Sequence, residues 1–128
     1  EESERLYLME ALARYPRESV VPAWDPEVYY DSYSKFFLPG LAAALGGEAR
    51  SLRVYNKEGR AYGFTVDNSF VMDAESGRAF FLAAAVYTNA NEVVNDDVYE
   101  YEPLADDVMA SVAHAVAVAL GWGPPTPR

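Results

Sequence analysis

The spacing of apolar and polar positions changes twice along the chain, and each change marks an element. Between Glu1 and Tyr15, Leu6, Met9 and Ala13 fall in one row and Leu8, Leu12 and Tyr15 in the next, which predicts a helix. Glu1, Glu2 and Glu4 suit its N-terminal dipole, and Pro16 ends it. Residues 16–31 carry Pro16, Pro22 and Pro26 with little periodicity and read as an ordered loop, packed down by Trp24, Tyr29 and Tyr30. From Tyr33 to Leu45 the pattern predicts a short helical turn, a break at Pro39-Gly40, and a second short helix ending at Gly46-Gly47.

From Ser51 the period becomes two. Leu52, Val54 and Asn56 alternate with Arg53, Tyr55 and Lys57, as in a half-buried strand. A glycine-punctuated stretch runs from Gly59 to Gly63, a second strand spans about Asp67 to Asp73, and Ala74-Glu75-Ser76-Gly77 makes a hairpin turn. The third strand, Arg78 to Thr88, contains the unbroken apolar run Phe80 to Tyr87. Such a run predicts cover on both faces and a central place in the sheet, with the preceding strand on one edge and a further partner on the other. Asn89 to Tyr101 is a polar, acidic loop. The last helix has Pro103 near its start, Asp106 and Asp107 in its first turns, and a stripe of Leu104, Val108, Val112, Ala115/Val116 and Ala119 ending at Gly121.

These elements predict an α+β fold: a three-stranded antiparallel sheet (a meander) flanked by N-terminal helices and a C-terminal amphipathic helix. One domain covers residues 1–122, with a helical and loop segment at 1–49, strands at 50–89 and the terminal helix at 103–121. Residues 123–128 read as a flexible tail.

Composition narrows the function classes. The 128 residues are enough for one domain, and the ten Tyr, six Phe and two Trp supply a core. Twenty acids against ten bases give a net charge of −10, which disfavours nucleic acid and anionic lipid as partners. No apolar run approaches the ~20 residues of a membrane span. With no cysteine there is no disulfide framework and no thiolate ligand or nucleophile. No basic segment followed by an apolar one reads as a signal peptide.

Several groups bear chemistry. His114, the single histidine, reads as a partly buried structural residue among Ala113, Ala115 and Val116. Asn95, Asp96, Asp97, Glu100 and Glu102 offer oxygen ligands but lack calcium-loop spacing, so no metal and no cofactor is expected. Ser32-Tyr33-Ser34-Lys35 matches Ser-x-x-Lys, in which a lysine at i+3 takes the serine proton. Lys57-Glu58-Gly59, at a strand end and followed by Ala61-Tyr62-Gly63, offers an ammonium, close backbone approach and exposed N–H groups for an oxyanion.

The stretch Asn56-Lys57-Glu58-Gly59, Ala61-Tyr62-Gly63, Val66-Asp67, followed by a strand, a glycine turn, an apolar strand and a terminal amphipathic helix, resembles the C-terminal part of class A β-lactamase-like (penicillin-binding-type) bacterial serine hydrolases. The resemblance runs from about Tyr15 to Leu120, including Tyr29 to Phe37 and Asn95 to Tyr101, and rests on the order of short motifs. It implies that Lys57 and Gly59 belong to the substrate-binding Lys-Thr-Gly-type triad and that the backbone N–H of Arg60 is an oxyanion donor. Glu58 stands where threonine or serine is usual, an acid that would repel a substrate carboxylate.

In that family the nucleophile's Ser-x-x-Lys and a Ser-Asp-Asn-type motif lie far upstream of the triad, across a helical domain. Ser32 is too close to Lys57 for that layout, so Ser32 and Lys35 are expected to be a chance match and the nucleophile to lie outside this chain. The resemblance thus implies a C-terminal portion that is inactive alone. Its open strand edge would be filled by the missing N-terminal half or by another copy. A small-molecule acyl substrate and an exported or periplasmic location follow from the same resemblance. The alternative is a non-catalytic α+β binding or dimerisation module.

Overall fold

A computed structural model describes residues 1–47, 49 and 51–123. Three strands, β1 (Leu52–Ala61), β2 (Phe64–Asp73) and β3 (Ala79–Tyr87), form an antiparallel meander in the order β1-β2-β3. Helix α1 (Glu2–Ala13) precedes it together with α2 (Leu38–Ala44), and α3 (Asp106–Ala119) follows. The expected α+β layout is present. Among the described residues no helix is long and apolar enough to cross a membrane.

The period-two pattern places β1 as expected: Leu52, Val54 and Asn56 are buried and Lys57 is exposed. Gly59 lies inside this strand rather than in a loop, and β2 begins at Phe64. Between them Tyr62 and Gly63 both have positive φ, 53° and 84°, so a two-residue turn of the primed type joins Ala61 to Phe64. Its backbone twist matches that of the flanking strands and fixes the register from Ala61↔Phe64 to Leu52↔Asp73. At the other hairpin, Asp73 accepts hydrogen bonds from Ser76 Oγ and from the Glu75 and Ser76 N–H groups. The Ser76 and Ser51 hydroxyls and these N–H groups hold its carboxyl down to about 2.

The expectation for β3 is corrected. The central strand is β2; β3 lies on an edge, and its apolar run is not covered on both faces. Phe80, Leu82, Ala84 and Val86 pack against the core. Phe81, Ala83, Ala85 and Tyr87 point the other way and are exposed, Phe81 to 82%. Apolar residues on both phases therefore report one buried face and one bare one.

Beneath the covered face, Phe37 and Leu41 meet Val54, Val71, Met109, Ala113 and Ala117. The stripe expected on α3 is also corrected: Leu104 and Val108 are exposed, and the inward row is Met109, Ala113 and Ala117, rooted at Ala105. Small residues face inward because α2 comes very close. A methyl group at Gly40 would lie 1.8 Å from the Ala110 carbonyl oxygen. Pro39 and Gly40 do not break a helix, since proline is tolerated in a first turn, where its missing N–H is not needed. Gly46 and Gly47, with positive φ, end α2 as expected.

Helix α1 buries no residue completely; Met9 and Ala13 are half-buried while Leu6, Leu8 and Leu12 are exposed. Trp24, Tyr29 and Tyr30 pack less tightly than expected, each remaining 37–42% exposed. His114 is exposed on α3, not partly buried. The tail reading of 124–128 lies outside the described residues.

Candidate functional site

In an antiparallel ladder, residues alternate between those bonded to the neighbouring strand and those whose N–H and C=O point away. The two-residue turn makes Ala61–Phe64 a bonded pair. The even-numbered residues of β1 therefore point their backbone groups toward the free edge. Side chains register this phase: Tyr15 Oη donates to the Leu52 carbonyl at 3.0 Å and Lys35 Nζ to that of Val54 at 2.8 Å. Lys57 Nζ donates to the carbonyl of Glu58.

The N-terminal half of this edge is thus closed by Tyr15 and Lys35. The C-terminal half is open, for among the described residues no loop or side chain outside the ladder takes the Arg60 N–H. Lys57 is exposed on the sheet face that α2 and α3 leave bare. Gly59 has no positive φ, and a methyl group there would meet nothing within 4 Å, so neither backbone strain nor internal packing requires a glycine. The sequence-expected Lys57, Glu58, Gly59 and Arg60 therefore share one open strand edge.

Arg60 points its side chain to the covered face. Its guanidinium meets Glu102 at 3.2 Å and also Asp106, and stacks 4.4 Å from the Phe36 ring. Burial pushes the Asp106 carboxyl up, and Arg60 partly opposes this. Tyr101 Oη accepts from the Gly63 N–H at 3.0 Å. These contacts anchor the β1–β2 hairpin to the start of α3.

The structure brings Lys35 elsewhere than beside a serine nucleophile. Its ammonium donates to the Leu12 carbonyl (3.0 Å), the Val54 carbonyl (2.8 Å) and Asn56 Oδ1 (2.7 Å). Ser32 uses its carbonyl to accept the Lys35 N–H, and its hydroxyl is not among the ammonium's partners. Asn56 Nδ2 donates to the Ser34 carbonyl at 2.8 Å and to Asp67 Oδ1 at 3.2 Å. Asp67 also accepts from Ser69 Oγ and the Phe36 N–H.

Burial pushes the Lys35 amine down to about 8, against the attraction of Asp67, Glu18 and Glu58. Burial likewise pushes the Asp67 carboxyl up, opposed by its three donors. The network underlies the strand that carries Lys57 and joins α1, the 34–36 segment, β1 and β2. No local motif marks this network, although the sequence carries one signal of it: Asn56 is polar yet in phase with Leu52 and Val54.

On the bare face, Tyr55, Phe70 and Phe81 stack across the three strands with ring centroids 5.9 and 4.8 Å apart. With Met9 and Leu12 of α1 they line a groove of about 750 Å³ that reaches Lys57. The acidic residues after β3 act within their own loop: Asp96 accepts from Asn91 Nδ2 and the Val98 N–H, and Glu100 from the Ala90 N–H. Comparison with protein-family models, with curated proteins and with solved structures finds no match for this chain.

Proposed function

We propose that the chain is the C-terminal portion of a β-lactamase-like serine hydrolase. It supplies the Lys57-Glu58-Gly59 binding strand and the Arg60 N–H as an oxyanion donor, with the nucleophile on a partner segment. The observation that carries this reading is the half-open edge of β1, where an ammonium, an uncrowded glycine and an outward N–H fall within the four register positions Lys57 to Arg60. The meander followed by a helix packed on one sheet face agrees with it. So does the free edge of β3, on which a strand of the missing half would pair. In this reading the acyl carbonyl lies along β1, its oxygen receiving the Arg60 N–H as negative charge develops.

A fluorophosphonate, which carries no carboxylate, tests this. The expected result is no labelling of the 128-residue chain and serine labelling in a polypeptide that extends it toward the N-terminus, slowed at least ~10-fold by Lys57→Ala. Labelling of Ser32 in the chain itself would overturn the reading in favour of Ser32 and Lys35 acting together.

A second reading is a non-catalytic binding or dimerisation module. The exposed Phe81, on an edge strand without a charge or a proline, favours it. A stably folded dimer that resists labelling in both forms would select this reading.

A further inference from the structure

The charge pattern at the open edge sets the class of substrate. We propose that this site takes an acyl compound whose recognition end is neutral or cationic, and that Glu58 excludes carboxylates. The inference rests on the binding-strand reading above and adds the ligand's charge to it.

An ammonium beside an oxyanion donor would ordinarily attract a carboxylate. Here the ammonium is already engaged. Lys57 Nζ folds back over its own strand to the Glu58 carbonyl and lies 3.8 Å from Glu58 Oε2. The next cation, Arg60, is turned to the opposite face and shared between Glu102 and Asp106. Behind Glu58 in the register stands Asp67, which Asn56 links to the Lys35 ammonium. Four carboxylates thus surround this stretch against three cations, each already engaged, within a chain of net charge −10.

Donor chemistry points the same way. A hydroxyl at position 58 would offer a proton to a ligand carboxylate, whereas a glutamate side chain offers acceptor oxygens. The groups that complement it are N–H donors: an amide, or an ammonium, whose charge strengthens the bond. The Glu58 side chain is only 28% exposed, so its charge is less screened than that of a freely solvated acid.

The test is an amide NMR titration of the full chain with three small probes of one shape. These are N-acetylglycine (an anion), N-acetylglycinamide (neutral) and N-(2-aminoethyl)acetamide (a cation). The neutral and cationic probes are expected to shift the Gly59 and Arg60 amides at concentrations at least ~3-fold lower than the anion requires, the gap narrowing in high salt. Glu58→Thr, verified as folded from its amide spectrum, is expected to tighten the anion about 10-fold, or about 1.4 kcal/mol.

Tightest binding of the anion to the unmodified chain would overturn the charge assignment while leaving the acyl site in place, as would a Glu58→Thr chain with the original order. Absence of any shift at Gly59 and Arg60 with all three probes would overturn the binding-strand reading, and the charge assignment with it.

Discussion

Lys35 and Asp67 are joined through Asn56: its Oδ1 lies 2.7 Å from the Lys35 ammonium and its Nδ2 3.2 Å from the Asp67 carboxylate. One amide thus hands the influence of a buried cation to a buried anion. Each end also has its own acceptors or donors, two backbone carbonyls for Lys35 and the Phe36 N–H and Ser69 Oγ for Asp67.

Removing the bridge is therefore expected to cost more than an ordinary buried hydrogen bond. Asn56→Ala leaves a charge short of a partner on each side, and urea unfolding should show a loss of about 3 kcal/mol. A Lys35→Met and Asp67→Leu double-mutant cycle should give a coupling above about 1 kcal/mol. Additive single losses would show that the two ends are independent.

The lowered value of Lys35 fixes the sign of a pH effect. Below about pH 8 the side chain is protonated in both states and the burial penalty is fully present. Between about 8 and 10.5 the unfolded chain holds a proton that the folded chain has released. Stability should therefore rise with pH across that window, by on the order of 3 kcal/mol in all. Urea unfolding of the wild type against Lys35→Met at pH 7.5 and pH 10 checks this, the difference moving toward the wild type. A shift the other way would mean that the three acceptors outweigh desolvation.

The contact of Gly40 with the backbone of Ala110 predicts a large effect from one methyl group. Gly40→Ala must push α2 off α3, and its unfolding midpoint should fall by the equivalent of about 3 kcal/mol. Gly59→Ala, where the same group meets open space, should change stability by less than about 0.5 kcal/mol.

On the bare face, Phe81→Ser should cost the isolated chain no more than about 1 kcal/mol, the scale of its cross-strand stack on Phe70, because the ring is otherwise largely in water. It should nonetheless shift sedimentation velocity profiles at high concentration toward the monomer, since it removes the most exposed ring from an uncovered apolar surface. Unchanged association would place the contact elsewhere.

The strands were legible because their period is two and their turns are marked: Leu52, Val54 and Lys57 fall where alternation puts them. Two features misled. In β3, apolar residues at every position signified a buried face and an uncovered one, which composition cannot distinguish from two buried faces. In α3, the bulky residues were expected inside, but the approach of Gly40 leaves room only for Ala113 and Ala117 beside Met109. At the candidate site, the local motif Lys57-Glu58-Gly59 was visible. The Lys35–Asn56–Asp67 network was not, because its members come from three elements whose juxtaposition depends on the tertiary fold.

The half-closed edge of β1 has a bearing on self-assembly. Beyond the Leu52 and Val54 carbonyls sealed by Tyr15 and Lys35, Asn56, Glu58 and Arg60 point backbone groups outward over about 14 Å at ~3.4 Å per residue, and the Glu58 carbonyl is taken by Lys57 Nζ. An extended polypeptide arriving there finds three rungs, one with its carbonyl already occupied, enough to orient a short acyl-peptide and no longer strand. On this side one phenol and two ammonium groups shorten the run of free backbone groups that a growing fibre could use.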